Sequence, residues 1–196
     1  VGDASLDNES SLHVEGGARA EYGPLTTSAT VYSDTFNDYI YQENTGLEED
    51  GLPVLLWLQQ DADFIGAEAE VRYDFEPNAS GHWQVYGFGD IVDAELADNT
   101  DVPRLPPKRV GLGLDWDRAG LAANVLWIHA YKQDDTAPFE TQTPSYDLFN
   151  AEIAYTVPGT TGLDWQVYVQ GQNLIDEDIR NSTSYLKDFA PQIGRN

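Results

Sequence analysis

One histidine of this 196-residue chain lies a few residues before a run of carboxylates: His129, then Asp134, Asp135 and Glu140. An imidazole with carboxylates is a donor set that zinc accepts, whereas carboxylates alone suit calcium better. There is no cysteine, so no thiolate site and no disulfide framework. With a single imidazole at this place, a complete zinc shell needs further ligands from elsewhere. The other histidines, His13 and His82, stand apart in sequence, and a solvated or hydrogen-bonded ring is the ordinary outcome for each. The chain has no Gly-x-Ser-x-Gly elbow, no His-Glu-x-x-His pair and no phosphate loop. No catalytic residue is expected, and no cofactor beyond a bound zinc or calcium ion.

Charge points the same way. Acids outnumber bases 34 to 10, for a net charge of −24. Such a surface repels nucleic acid and anionic substrates and attracts cations. The acids gather in particular stretches: Glu43 to Asp50, Glu95 to Asp101, Asp134 to Glu140, and Asp176 to Asp178.

The elements that carry these stretches are legible as strands. Leu12, Val14, Gly16, Ala18, Ala20 and Tyr22 alternate with His13, Glu15, Gly17, Arg19 and Glu21. The same period of two recurs over 68–75, 110–117, 149–157 and 163–170. The segment 27–41 switches parity partway, which predicts a bulge or an exit from a membrane. In 121–131 the apolar residues fall on both parities, so its face is open. With 83–91 these make about eight strands and no helix. Short connections (23–24, 76–81, 118–120, 158–162) alternate with long ones (42–53, 94–108, 133–145). That rhythm, with aromatics such as Trp83, Trp116, Trp165, Tyr22, Tyr73 and Tyr155 near strand ends, predicts part of a transmembrane β-barrel. No apolar run approaches the roughly 20 residues of a membrane helix, but barrel strands need only about 9–11. The alternative is a soluble acidic β domain binding calcium or a glycan. It would be monodisperse in plain buffer, whereas a barrel wall needs detergent.

Several motifs carry a family resemblance. Val167–Asp176 runs into Asn173-Leu174-Ile175-Asp176, and Ala190-Pro191-Gln192-Ile193-Gly194-Arg195-Asn196 follows. Upstream stand Leu6-Asp7-Asn8-Glu9-Ser10-Ser11 in the stretch 4–11, Pro103-Arg104-Leu105-Pro106-Pro107-Lys108-Arg109-Val110-Gly111, and Glu140-Thr141-Gln142-Thr143-Pro144-Ser145-Tyr146-Asp147-Leu148-Phe149-Asn150-Ala151. In this order they resemble the C-terminal barrel of TonB-dependent outer-membrane receptors, with the zinc-uptake receptors the most similar branch. The resemblance implies that residues 1–196 are the C-terminal portion of such a barrel, lacking the plug, the early strands and the final strand. The absence of methionine and of a signal peptide at Val1 agrees with a piece of a longer chain. It further implies a location in the outer membrane of a Gram-negative bacterium, contact with membrane lipid, and TonB coupling through the missing plug. The implied activity is uptake of a cationic or metal-linked nutrient, zinc or a metal chelate. The long loops, with 179–191 among them, are expected to face outside.

Overall fold

A computed structural model describes residues 3, 5–157, 159 and 162–196. Pro158, Thr160 and Thr161 of the expected last turn, and Ala4 at the start of the upstream motif, lie outside the described residues. The strands are β1 (Ser10–Tyr22), β2 (Leu25–Glu49), β3 (Leu52–Asp74), β4 (His82–Leu96), β5 (Arg109–Arg118), β6 (Leu121–Ala130), β7 (Tyr146–Val157) and β8 (Trp165–Gly171). They form one sheet in sequence order, every neighbouring pair antiparallel. This is the predicted meander of eight strands, and the described residues contain no helix.

Residues directly opposite in an antiparallel ladder share a face. The register therefore carries one apolar row across the sheet: Ala18, Ala29, Ala69, Gly89, Val110 and His129 are successive partners. Val71, Gly87, Leu112 and Trp127 form the row beside it. On this face Leu12, Val14, Ile65, Leu112 and Val169 are all more than half exposed. Burying such a side chain is worth about 1.5–3 kcal/mol. A face made of them requires an apolar medium, and among the described residues no second layer covers it. The soluble-domain alternative lacks the packing it needs.

Two strands are far longer than a membrane requires. β2 has 25 residues and β3 has 23, against the about 9–11 of a spanning strand. The sequence reading expected a loop over 42–53. The structure corrects it: after a register shift between Asn44 and Glu48 the pairing resumes to Glu49↔Leu52, and the chain turns at Asp50 and Gly51, with φ of 52° and 78°. Positive φ at both central residues is the type I′ arrangement that matches the twist of a hairpin. The expected bulge is present, as a register shift between Phe36 and Tyr39. Asp38 there has φ of 59°, its N–H donates to Asp61 Oδ1 at 3.0 Å, and its carbonyl accepts from Gln59 Nε2 at 2.8 Å. The bulge leaves neither backbone group of Asp38 unpaired.

At the same end the long connections fold over the polar face. The buried cluster is Tyr41, Ala62, Ala94, Leu96, Val102 and Leu105, flanked by Phe36, Tyr39, Leu58 and Phe64. Ala62, Ala94 and Leu96 share the parity of the charged residues lower on β3 and β4, so the buried cluster of the described residues lies above the polar face as a cap.

The terminal motifs meet in space. Asn173, buried with φ of 48°, receives Glu177 N–H on its side-chain oxygen and donates to the Glu177 carbonyl, both at 2.9 Å. Asp176 accepts the Arg195 N–H at 2.9 Å. Asn196 and Gln172 exchange backbone hydrogen bonds of 2.9 and 3.2 Å, the pattern of a ladder beside β8.

Candidate functional site

The long-loop end collects the features that could meet a ligand. The four residues singled out in sequence are not assembled there into one coordination shell. His129 lies on the apolar face of β6, opposite Asp147 of β7, and its Nδ1 is 3.0 Å from Asp147 Oδ1. Trp127 Nε1 donates to the same oxygen at 2.9 Å. Asp134 accepts from Lys132 Nζ at 3.1 Å, which holds its carboxyl below the usual range. Asp135 is exposed. Glu140 is turned inward to Lys187. Among the described residues no three His, Asp or Glu side chains converge on a point that would hold a metal. The separation has a simple cause. His129 follows the strand's two-residue period onto the outer face, while Glu140 is drawn under the cap by a lysine.

That lysine is the centre of the cap. Lys187 is 5% exposed, and its Nζ donates to Glu140 Oε1 and to the Thr141 carbonyl, both at 2.7 Å. Glu140 Oε2 accepts the Arg104 N–H at 3.0 Å. The Arg104 guanidinium lies 4.0 Å over the Tyr185 ring and donates to the Gln42 carbonyl at 3.2 Å. Ser182 Oγ donates to the Leu105 carbonyl at 2.7 Å. One charged network thus ties the segments 97–108, 131–145 and 172–195 to the β2–β3 hairpin. A crevice of about 60 Å³ remains where they meet, lined by Asn44, Leu55, Arg104, Phe139 and Tyr185. Lys187, Arg104 and Ser182 carry no mark in the sequence that singles them out. Arg104 falls inside a quoted motif and Lys187 inside the loop 179–191, but nothing in the spacing pairs either with Glu140.

Beside Asp101 the neighbouring charges are negative. Burial, then the charges of Asp135, Asp93, Glu95 and Glu140, hold the Asp101 carboxyl above the ordinary range. Its ionised form is therefore disfavoured in the fold. That penalty is absent below the ordinary aspartate pKa, about 3.9, and grows as pH rises through the raised value. Asp101→Asn is expected to stabilise the cap at neutral pH, by less than about 1 kcal/mol for a partly exposed group. The gain should vanish below about pH 4. Hydrogen exchange of 97–108 against pH measures it, and a gain unchanged at low pH would contradict the electrostatic cause.

Lower on the polar face the strands carry paired charges. His13 Nδ1 is 2.6 Å from Asp34 Oδ1, Arg109 Nε is 3.0 Å from Asp90 Oδ1, and His82 Nδ1 is 3.2 Å from Asp117 Oδ1. This is a hydrated wall rather than a dry core.

A family profile described as "TonB dependent receptor-like, beta-barrel" matches residues 1–174. Among solved structures the chain is similar to the copper transporter OprC, at 17% identity and a TM-score of 0.81 over 97% of this chain and 30% of that one. It is also similar to the ferric-catecholate import receptor Fiu from E. coli K12, in its closed form. There the identity is 17% and the TM-score 0.59, over 93% of this chain and 26% of that one. At such identities the likeness is one of fold. The chain spans less than a third of either structure.

Proposed function

The chain belongs to the TonB-dependent receptor β-barrel family, and on that premise we propose that it is part of the outer wall and mouth of an importer for a cationic or metal-linked nutrient, zinc or a metal chelate. The barrel lies in the outer membrane of a Gram-negative bacterium. The apolar face meets lipid, and the polar face lines the lumen. The observation that carries the nutrient reading is the sign of the mouth. Carboxylates crowd the long-loop end, and they raise the local concentration of cations there. Energy from the inner membrane, delivered through TonB to a plug, would drive release.

Recognition in this reading is divided. The mouth attracts the metal or its chelate, and firm coordination comes from groups beyond the His129, Asp134, Asp135 and Glu140 set, because Glu140 is engaged with Lys187 and His129 with Asp147. Calorimetry on the full receptor in detergent tests this, with zinc and a neutral metal chelate as probes. Zinc affinity is expected to fall as ionic strength rises from about 0.01 M to 0.15 M, over which the Debye length shrinks from about 30 to 8 Å. His129→Ala with Asp134→Ala together should change zinc affinity less than threefold. A larger loss would return these two residues to the coordination shell. Failure of either probe to bind would remove the metal assignment.

A further inference from the structure

The apolar face is not uniform. Across β2 to β6 it is hollowed into an open groove of about 590 Å³, floored by Ala69, Gly87 and Gly89 and walled by Val71, Leu112 and Trp127. The hollow exists because two consecutive lipid-facing positions of β4, Gly87 and Gly89, have no side chain. Gly89 is not glycine for want of space: a Cβ there would meet only Arg109 O at 3.4 Å and Val110 Cγ1 at 3.6 Å, both ordinary contacts. Filling the groove at Gly89 is sterically allowed, whereas a Cβ on Gly87 would press on Leu112 Cδ2 at 3.1 Å.

At the long-loop end of this groove the rim changes sign. On β3 and β4 the lipid-facing row passes from Ile65 and Ile91 to Asp63, Asp93 and Glu95, which repel an anionic headgroup. On β5 and β6 the row passes instead from Val110 and Trp127 to Lys108, His129 and Tyr131. Val110 pairs with His129, and the Tyr131 N–H donates to the Lys108 carbonyl at 2.9 Å. The acids facing this corner are Asp147, bonded to His129 and Trp127, and Asp134, bonded to Lys132. Lys108 is exposed and, among the described residues, makes no salt bridge. His129 is engaged through its Nδ1 with Asp147. The Tyr131 ring stands edge-on to His129, 4.7 Å between centroids, and amphipathic rings suit a headgroup boundary.

We propose that this corner seats one outer-leaflet lipid with an anionic phosphate headgroup. An acyl chain lies in the Gly87–Gly89 groove, and the phosphate accepts a hydrogen bond from Lys108 Nζ beside the Tyr131 ring. Two observations on the same face and on adjoining strands meet here: a groove shaped for a chain, and the stretch of rim where lysine replaces acid. The inference rests on the membrane placement and not on the identity of the nutrient.

Native mass spectrometry of the full receptor, delipidated and titrated with dimyristoyl phosphatidic acid, tests it. The wild type is expected to retain one such lipid at least tenfold more tightly than dimyristoyl phosphatidylcholine. Lys108→Glu should abolish that preference. Gly89→Leu should weaken the dimyristoyl lipid about tenfold while leaving a dihexanoyl analogue unchanged, which separates the groove from the headgroup site. Both variants should keep the wild-type thermal transition. Inorganic phosphate competing as well as the lipid would overturn the groove's part. Loss of binding in EDTA would show divalent ions bridging the acidic rim instead, and would also overturn the proposal, as would equal retention of both lipids by the wild type.

Discussion

Lys187→Met is expected to release the cap. In the wild type the Lys187 ammonium and the Glu140 carboxylate are paired with side chains only 6% and 10% exposed. Removing one partner of such a pair costs about 3–5 kcal/mol, because the other charge stays buried without compensation. The orphan would be Glu140. Its remaining donors are the backbone N–H groups of Arg104 at 3.0 Å and Ala137 at 3.4 Å. Relief comes by moving the carboxylate into water, and that pulls the 131–145 segment away from Arg104 and from the terminal segment together. Amide exchange in 131–145 and 172–195 should rise by two orders of magnitude or more, since each 1.4 kcal/mol is about tenfold. Exchange in β5 and β6 should not change. Glu140→Gln added to Lys187→Met should recover most of the loss, because the second change removes the uncompensated charge. Unchanged exchange in the single variant would mean that apolar packing of Val102, Leu105 and Ile179 holds the cap alone.

This network was beyond the reach of sequence reading for a definite reason. Glu140 and Lys187 stand 47 positions apart in two connections with no periodicity. Glu140 stood out only as a candidate metal ligand beside Asp134 and Asp135, and nothing marked Lys187 as its partner in a chain with 34 acids. Strands were legible where one face meets lipid and the other water. β1, β5, β7 and the lower half of β3 have that contrast and showed it as clean alternation. The contrast fails above the membrane. Leu55, Leu56, Trp57 and Leu58 are consecutive on β3 because that stretch has the cap on one side. The 42–53 segment was therefore read as a loop, although Asp50-Gly51 carried the signal for a tight hairpin.

The face that His129 occupies was illegible for a related reason. Val125 to Ile128 are all apolar, so β6 gives no parity of its own. Only its pairing with β5, Val110↔His129 and Leu112↔Trp127, assigns the ring to the lipid face. The terminal motifs were recognised as a signature without a mechanism. The structure supplies one: Asn173 closes its turn onto Glu177, and Asp176 catches the Arg195 backbone.

A second large effect is expected on the lumen face, where three glycines lie under aromatic rings. Tyr32 lies across Gly66, Phe88 across Gly111, and Tyr86 across Gly113, each its direct cross-strand partner. A Cβ on Gly113 would fall 2.1 Å from Tyr86 Cζ, and one on Gly66 would fall 2.2 Å from Tyr32 Cζ. No real contact is that short, so the ring must leave. These rings cover backbone that glycine leaves bare, a pairing that pins strand register. Gly113→Ala should therefore destabilise the wall by about 1–3 kcal/mol, the usual cost of overpacking. Tyr86→Ala alone should cost a similar amount by baring the Gly113 backbone. The decisive measurement is the double variant. With the ring already gone, the added methyl meets nothing, so the double should be no worse than Tyr86→Ala. The coupling should then reach about 1–3 kcal/mol, within the range for residues in direct contact. Urea unfolding of the full barrel in lipid vesicles reads all three, with folded and unfolded forms separated by their gel mobility before heating. Strictly additive single effects would mean that the ring and the glycine do not support each other, and that β4 and β5 keep their register by backbone pairing alone.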